Sequence, residues 1–394
     1  MTPCEAPVTS AHDIVIIGAA RTPTGRFQGG LAHMSAPQLG AHAIAAALGD
    51  IPPEAVDAVI FGQVLQAGVG QNPTKQAALA AGLPQRAHTS TVNKVCLSGL
   101  TAIIDAARLL RAGEADIVVA GGMESMSNAP HLLPHSRTGQ RYGAWTARDH
   151  MESDGLTCAK LGISMGELTE SHADRFPVTA AERNEFAVAS HRRAAAAWEA
   201  GVFDAEVAPI TTSRGETITR DEGIRPHLTL ADIKGLSPAF VADGQLTVAH
   251  ASQISDGASA VVLTTRARAA GWPILATLRA VGQVAGPDSS LQAQPAHAIA
   301  QALGRQGWEA DSLDLVEINE AFADVALHSA RDLGIREEVL NPHGGAIALG
   351  HPIGASGARL AVHAAHQIAA GHARRAAVGL CGGGGQGEAL LLET

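Results

Sequence analysis

Two stretches of this chain repeat each other at a constant offset of 258 residues. Ser98-Gly99, Ala106-Ala107, Ala112-Gly113, Ala115 and Gly121 recur as Ser356-Gly357, Ala364-Ala365, Ala370-Gly371, Ala373 and Gly379. The alanine matches carry little weight in an alanine-rich chain; the aligned Ser-Gly pairs and the helix-ending glycines carry more. Each copy reads as a glycine-rich turn, a helix, a glycine stop and an apolar strand ending in glycines, Ile117 to Gly122 in one and Ala376 to Gly383 in the other. A weaker echo precedes each, where Val56-Asp57-Ala58-Val59-Ile60 resembles Leu313-Asp314-Leu315-Val316-Glu317 at an offset of 257. A duplicated α/β unit follows, with two similar halves packed together.

The length of 394 residues allows such an arrangement with room for one more element. Ile14 to Ala20 reads as a buried first strand, far too short to span a bilayer. Met1 to Asp13 lacks the basic patch and long apolar stretch of a leader. From about Ser125 to Ala249 the strand rhythm fades into polar, His-, Arg- and Pro-bearing sequence, broken by one helix around Ala180 to Ala200. Structureless insertions longer than about 15 residues in compact folds are usually functional, so this one is expected to cover a ligand. The expected division is 1–124 plus 250–272 as the first half, 125–249 as the inserted loop domain and 273–394 as the second half.

Only 17% of residues are charged and 3% aromatic, so the interior must be packed from Ala, Val, Leu and Ile, as helices on a sheet allow. The net charge of -10 gives no global field that would draw the chain to nucleic acid or anionic membranes, so a polyanionic ligand needs a local cation. Cys4, Cys96, Cys158 and Cys381 are scattered, with no CxxC, which predicts reduced thiols in a cytoplasmic enzyme and no metal site.

Four motifs can carry chemistry. Cys96, in Asn93-Lys94-Val95-Cys96-Leu97-Ser98-Gly99, precedes the helical pattern Leu100, Ile103, Ile104, Ala107, Leu110. A thiol at a helix N-terminus meets free N–H groups and the positive dipole end, which lowers its pKa; the alternative is a buried structural cysteine. His351 stands in Gly350-His351-Pro352-Ile353-Gly354 at the start of the second repeated helix, downstream of His343-Gly344-Gly345, and could activate a thiol or polarise a carbonyl. His363, His366 and His372 on the following helix read as surface or satisfied residues. Cys381-Gly382-Gly383-Gly384-Gly385 ends the second repeated strand, without the Lys-Ser/Thr of a phosphate loop. Asn319-Glu320 follows the strand Leu315 to Ile318: Asn319 could hold a water or donate to an oxyanion and Glu320 could orient a histidine, or both could simply cap a helix. In such folds strand carboxyl ends and helix amino ends share one sheet edge, so the duplication can bring these motifs together.

Taken together, Asn93-x-x-Cys96-x-Ser98-Gly99, Asn319-Glu320-Ala321-Phe322, Gly350-His351-Pro352-Ile353-Gly354 and Cys381-Gly382-Gly383-Gly384 resemble the thiolase family, from Ala20-Arg21-Thr22-Pro23 to the C-terminus. The resemblance implies two thiolase-fold halves in a five-layered αβαβα stack, an inserted loop domain and assembly as a dimer or tetramer. It makes Cys96 the acyl-accepting nucleophile, His351 its activator and Cys381 the acid/base at the α-carbon. One oxyanion hole would use His351 and a water held by Asn319; the other would use the backbone N–H groups of Cys96 and Gly383. Acyl-CoA and CoA would be substrates, with no separate cofactor. Arg225 would lie by the nucleotide and Ser252 and Phe240 along the pantetheine, with Met165, Ala321 and Phe322 also in the binding set.

Two stretches depart from the family pattern: Ser164-Met165-Gly166-Glu167-Leu168-Thr169-Glu170 where many biosynthetic members have His-Met-Gly-x-Thr-Ala-Glu-Asn, and Val248-Ala249-His250-Ala251-Ser252-Gln253 in place of Ala-Gly-Asn-Ala-Ser-Gly. The stretches around Cys96 and Asn128 to Pro134 resemble members that condense two acetyl-CoA. Cleavage of longer 3-oxoacyl-CoA in fatty-acid metabolism is the alternative. A decarboxylating ketoacyl synthase would not need Cys381, and a non-catalytic CoA-binding member would be expected to lose a reactive residue.

Overall fold

The computed structural model describes residues 10–212 and 214–394; Cys4 and the first nine residues of the Met1 to Asp13 segment lie outside the described residues. The first half comprises strands β1 (Ile14–Arg21), β2 (Ala58–Gly62), β3 (His88–Val92), β4 (Ile117–Ser125) and β5 (Ser255–Thr265). With them go helices α1 (Ala36–Leu48), α2 (Pro73–Ala80) and α3 (Ser98–Arg111). Between β4 and β5 run α4 (Met165–Glu170), α5 (Ala180–Glu199) and short two-stranded pairs. The second half contains β6 (Ala276–Ala285), α6 (Gln294–Gln306), β7 (Leu315–Ile318), α7 (Ala323–Leu333), α8 (Ser356–Ala369), β8 (Arg375–Gly382) and β9 (Gln386–Glu393).

The main strands lie in the order β7-β8-β9-β6-β1-β5-β4-β2-β3. The order is symmetric about the β6–β1 junction, where only Val15 pairs with Thr277 and Ile16 with Ala276. The same pattern is laid down twice: β2 runs parallel to β4 with Ala58 opposite Val118, and β7 parallel to β8 with Leu315 opposite Ala376. Only β3 has no full counterpart, a single bridge from Val316 to Leu340 standing in its place.

Strand alternation sends side chains to two different cores. Ile14, Ile16, Val118 and Ala120 of the first sheet, and Val378, Leu380, Leu390 and Leu392 of the second, close on α3 and α8 through Ile103, Leu110, Leu360 and Ala364. On the opposite face of the first sheet, Val15, Ile17 and Val119 meet Leu39 and Ile44 of α1. Val316, Ile318 and Leu391 meet Ile299 of α6 and Ala326 of α7 on the far face of the second. The molecule is therefore a five-layered αβαβα stack with α3 and α8 in its middle.

Small residues let the two central turns touch. A Cβ on Gly122 would stand 2.0 Å from the carbonyl oxygen of Gly354, so no larger residue fits there without backbone movement. The segment between β4 and β5 is fastened by buried ion pairs. Arg21 of β1 binds Glu206 at 2.7 Å and Asp221 at 2.7 and 3.0 Å, and Arg183 of α5 binds Asp324 of α7. Such pairs add little net stability but specify one docking, and removing one partner costs about 3–5 kcal/mol.

Candidate active site

The nucleophile candidate sits in a strained turn. Val95, a β-branched residue, adopts φ +52°, a left-handed conformation that costs on the order of 1–3 kcal/mol and is found mainly where function demands it. Asn93 Oδ1 accepts from Val95 N at 3.1 Å, and Ser98 Oγ both accepts from Lys94 N at 2.8 Å and donates to Val95 O at 2.6 Å. These bonds hold Cys96 two residues ahead of α3, half-buried at the wall of a cavity.

His351 reaches the same cavity from the turn before α8. Ser356 Oγ has one proton, which goes to Pro352 O at 2.9 Å, so the hydroxyl accepts from His351 Nδ1–H. That count leaves Nε2 unprotonated, an acceptor for the Asn319 amide nitrogen at 3.5 Å. Cys381, at the carboxyl end of β8, completes the set with Gly382 and Gly383.

Burial governs the ionisation of all three groups. It pushes the Cys96 thiol up to about 12, with the Glu124 carboxylate adding to the shift, and raises Cys381 well above the thiol range, where the neighbouring Cys96 also contributes. It holds His351 down to about 4, assisted by the Arg359 cation. The Cys96 direction is opposite to the lowering expected of a helix terminus, and α3 begins only at Ser98, two residues beyond the thiol. At neutral pH the site holds two protonated thiols and a neutral imidazole.

The cavity measures about 470 Å³. Its walls include Met165, Arg225, Phe240, Ser252, Ala321 and Phe322, all expected from the sequence, Gln253 of the second departure, and Leu156, Leu291 and Ile353, which were not expected. The Phe240 and Phe322 rings meet edge to face at 5.7 Å. Ser252 N donates to Ala321 O at 3.0 Å, and His191 of α5 accepts from Arg225 N at 3.0 Å, so both walls are fixed through the backbone. Asn319 is fully buried behind His351 and does not line the cavity. Among the described residues no group of three or more His, Cys, Asp or Glu could hold a metal ion.

Comparison with known proteins agrees with this layout. The thiolase N-terminal domain model matches residues 14–267 and the thiolase C-terminal domain model residues 272–394. A probable acetyl-CoA acetyltransferase of Mycolicibacterium smegmatis is 51% identical, the match covering 96% of this chain and 100% of that protein. An acetyl-CoA acetyltransferase of Cupriavidus necator is 46% identical over 97% of this chain and 99% of its own length, and acetyl-CoA acetyltransferase 2 of Arabidopsis thaliana 41% over 97% of each. The chain belongs to the thiolase family. It is accordingly an acyltransferase, and thiolase chemistry runs on CoA thioesters.

Within this thiolase several sequence readings change. Glu320 orients no histidine: it accepts from Ser190 Oγ at 2.7 Å, Asn341 Nδ2 at 2.9 Å and Ile347 N at 3.1 Å. Nor do Asn319 and Glu320 cap the helix that follows them, since α7 starts after Phe322 with no side-chain cap; Glu320 instead serves the first turn of the short helix Ala346–Leu349 through Ile347 N. His343 turns away to His363, which is buried against Glu206. The departures also resolve locally. Ser164 caps α4 through Glu167, His250 bonds Asn184 at 2.8 Å away from the cavity, and Gln253 ties Gly223 O to Ile347 O, bracing the wall beside His351. Ser356, which sets the His351 tautomer, was visible in the sequence only as the repeat partner of Ser98.

Proposed function

We propose that this thiolase is an acetyl-CoA C-acetyltransferase, condensing two acetyl-CoA to acetoacetyl-CoA and CoA or running the reverse thiolysis, by a ping-pong route through acyl-Cys96. The observation that carries the reading is the convergence of Cys96, His351 and Cys381 on one cavity. A thiol held up near 12 needs a base within that cavity to ionise, and His351 Nε2 is an unprotonated acceptor there, held by a long contact to the Asn319 amide.

In the first half-reaction Cys96 passes its proton to His351 Nε2 and the thiolate attacks the acetyl-CoA carbonyl. The tetrahedral intermediate collapses, and CoA leaves with the proton returned by His351. In the second, Cys381 gives its proton to His351 and, as a desolvated and hence strongly basic thiolate, removes the α-proton of a second acetyl-CoA. The resulting carbanion attacks the acyl carbon, expelling Cys96, which recovers the proton from His351. Developing oxyanions need donors at each stage: Cys96 N and Gly383 N for one, and His351 with a water on Asn319 for the other. The orphaned Asn319 Oδ1, buried without a partner, supports such a water.

Arg225 at the cavity wall supplies the local cation for the CoA phosphates in an otherwise acidic chain, with Ser252 and Phe240 along the pantetheine and Met165, Ala321 and Phe322 around the acyl end. Residues 125–249 act as a loop domain over the site. The names of the relatives favour the acetyl group over long chains. Free Cys96, Cys158 and Cys381 fit a cytoplasmic enzyme, and the family implies a homo-oligomer; no helix among the described residues is long and apolar enough to cross a membrane.

Incubation with acetyl-CoA and peptide mass spectrometry tests the route: the acetyl group should sit on the Cys96 peptide, and unmodified enzyme would refute it. Cys381→Ser should still acylate but not form the carbon–carbon bond. Thiolysis of acetoacetyl-CoA should outrun that of a long 3-oxoacyl-CoA.

A further inference from the structure

One of the proposed oxyanion holes draws on both halves of the molecule. Cys96 N comes from the turn ahead of α3 and Gly383 N from the hairpin after β8, so their spacing depends on how that turn and that hairpin sit together. Such donors are effective only when held within about 0.5 Å of their productive positions. Part of the join is apolar and built on glycine. A Cβ on Gly383 would stand 3.5 Å from Val95 Cγ2, and one on Gly382 would meet Leu97 Cγ at 2.5 Å. Apolar contact of this kind excludes water but is non-directional.

One polar side chain crosses the join. Glu388 of β9 is fully buried, stands opposite Leu380 in the β8–β9 ladder and lies next to the Gly387–Cys381 pair. Its Oε1 accepts from Lys94 Nζ at 2.6 Å and from Gln283 Nε2 at 2.7 Å, and its Oε2 accepts from Thr101 Oγ1 at 2.8 Å. One carboxylate thus grips the Cys96 turn, the first turn of α3 and, through Gln283, the neighbouring strand β6. Ser98 closes the turn on itself through Lys94 N and Val95 O; Glu388 places the closed turn against the hairpin. The strand itself has no need of a charge here, since Ala389, Leu390, Leu391 and Leu392, which follow in β9, are buried and apolar. A buried ion pair adds little net stability, and its best-attested use is to enforce one register.

We infer that Glu388 is a positioning residue for the reaction: through its grip on Lys94 and Thr101 it sets the spacing of Cys96 N and Gly383 N, and so the fit of the oxyanion hole to the developing charge. The inference rests on the reading of Cys96 as the acyl acceptor and of these two N–H groups as oxyanion donors. Glu388, Lys94 and Thr101 do not line the cavity, so they act through the turn and not on the substrate.

The test reads the oxyanion hole directly. With acetyl-CoA isotope-labelled at the acyl carbonyl, infrared difference spectra give the carbonyl stretch of acyl-Cys96, which falls as N–H donors polarise the bond. The band should move to higher frequency in Glu388→Gln and in Lys94→Met, the second a partly exposed side chain whose loss the fold should tolerate. Per acylatable site, kcat for acetoacetyl-CoA thiolysis should fall about 10–100-fold, with KM for either substrate within about twofold of wild type. Lys94→Arg keeps the charge and should hold the wild-type band and a turnover within about threefold. A purely structural carboxylate would lower the melting temperature and the number of acylatable sites, yet leave the band and the turnover of the remaining sites unchanged. That result, or equal losses in Lys94→Met and Lys94→Arg, overturns the inference. The labelled peptide separates the two readings: wild-type enzyme without acetyl on Cys96 overturns the nucleophile as well, whereas acetyl on Cys96 with an unmoved band overturns the role of Glu388 alone.

Discussion

The turn ahead of α3 and the turn ahead of α8 occupy matching places in a duplicated unit, and they have become different instruments. At the repeat offset Asn93 faces His351, Val95 faces Ile353, Cys96 faces Gly354 and Ser98 faces Ser356. Only the serine is kept, and it performs the same task twice. In the first copy its hydroxyl ties Lys94 N to Val95 O and so shapes the turn bearing the thiol; in the second it ties His351 Nδ1 to Pro352 O and so orients the base. Where one turn has Cys96 the other has a glycine, because Gly354 lies against Gly122, with its N–H donated to Glu124. The proposed reactive centre is thus divided between the copies, each contributing a group that the other lacks.

That division can be broken experimentally, and the largest effect should come from its least replaceable member. Cys96→Ser should lower turnover by at least about a thousandfold and leave no acyl-enzyme in mass spectra, with the fold intact by circular dichroism. Ser356→Ala leaves His351 Nδ1–H without its acceptor, so kcat should fall about 10–100-fold, the rate equivalent of a lost hydrogen bond of about 1–3 kcal/mol. Ser98→Ala should instead be felt in stability: Lys94 N and Val95 O lose their partner, costing about 1–3 kcal/mol in urea unfolding. If the two serine variants had the same balance of rate and stability losses, the claimed divergence of the turns would be wrong.

The smallest effect concerns the link between the turns. Glu124 accepts from Val64 N and Leu65 N in the first half and from Gly354 N in the second, while burial raises its carboxyl to about 7. A folded value above the ordinary one near 4.5 means that its contribution is fully present below that pH and is lost as pH rises through about 7. Melting temperatures measured across this window should decline more steeply in the wild type than in Glu124→Gln; equal slopes would show that Glu124 is not the group responsible.

Much of this arrangement could be read from the chain because duplication leaves a positional record. The repeated helices are 14 residues each, Ser98–Arg111 and Ser356–Ala369, and both begin on the aligned serines. The outer helices α1 and α6 stand at the same offset, Ala36–Leu48 and Gln294–Gln306, and also share text, Ala41-His42-Ala43-Ile44-Ala45 recurring as Ala296-His297-Ala298-Ile299-Ala300, but at an offset of 255 that the 258 register passes over. Leu156 and Leu291 reach the cavity from different segments through tertiary packing alone, and no local pattern marks them. The Cys96 ionisation was misjudged for a related reason: a helix terminus is visible in sequence, whereas the removal of water depends on every layer around it.

The stacking of α3 and α8 between the two sheets has one more consequence. Neither half of this polypeptide owns a catalyst; one brings a sulfur, the other an imidazole and a second sulfur, and they meet only across the innermost layer. Turnover is therefore a gauge of whether the halves have docked, and a molecule cleaved near residue 270 should regain activity only as its two fragments recombine.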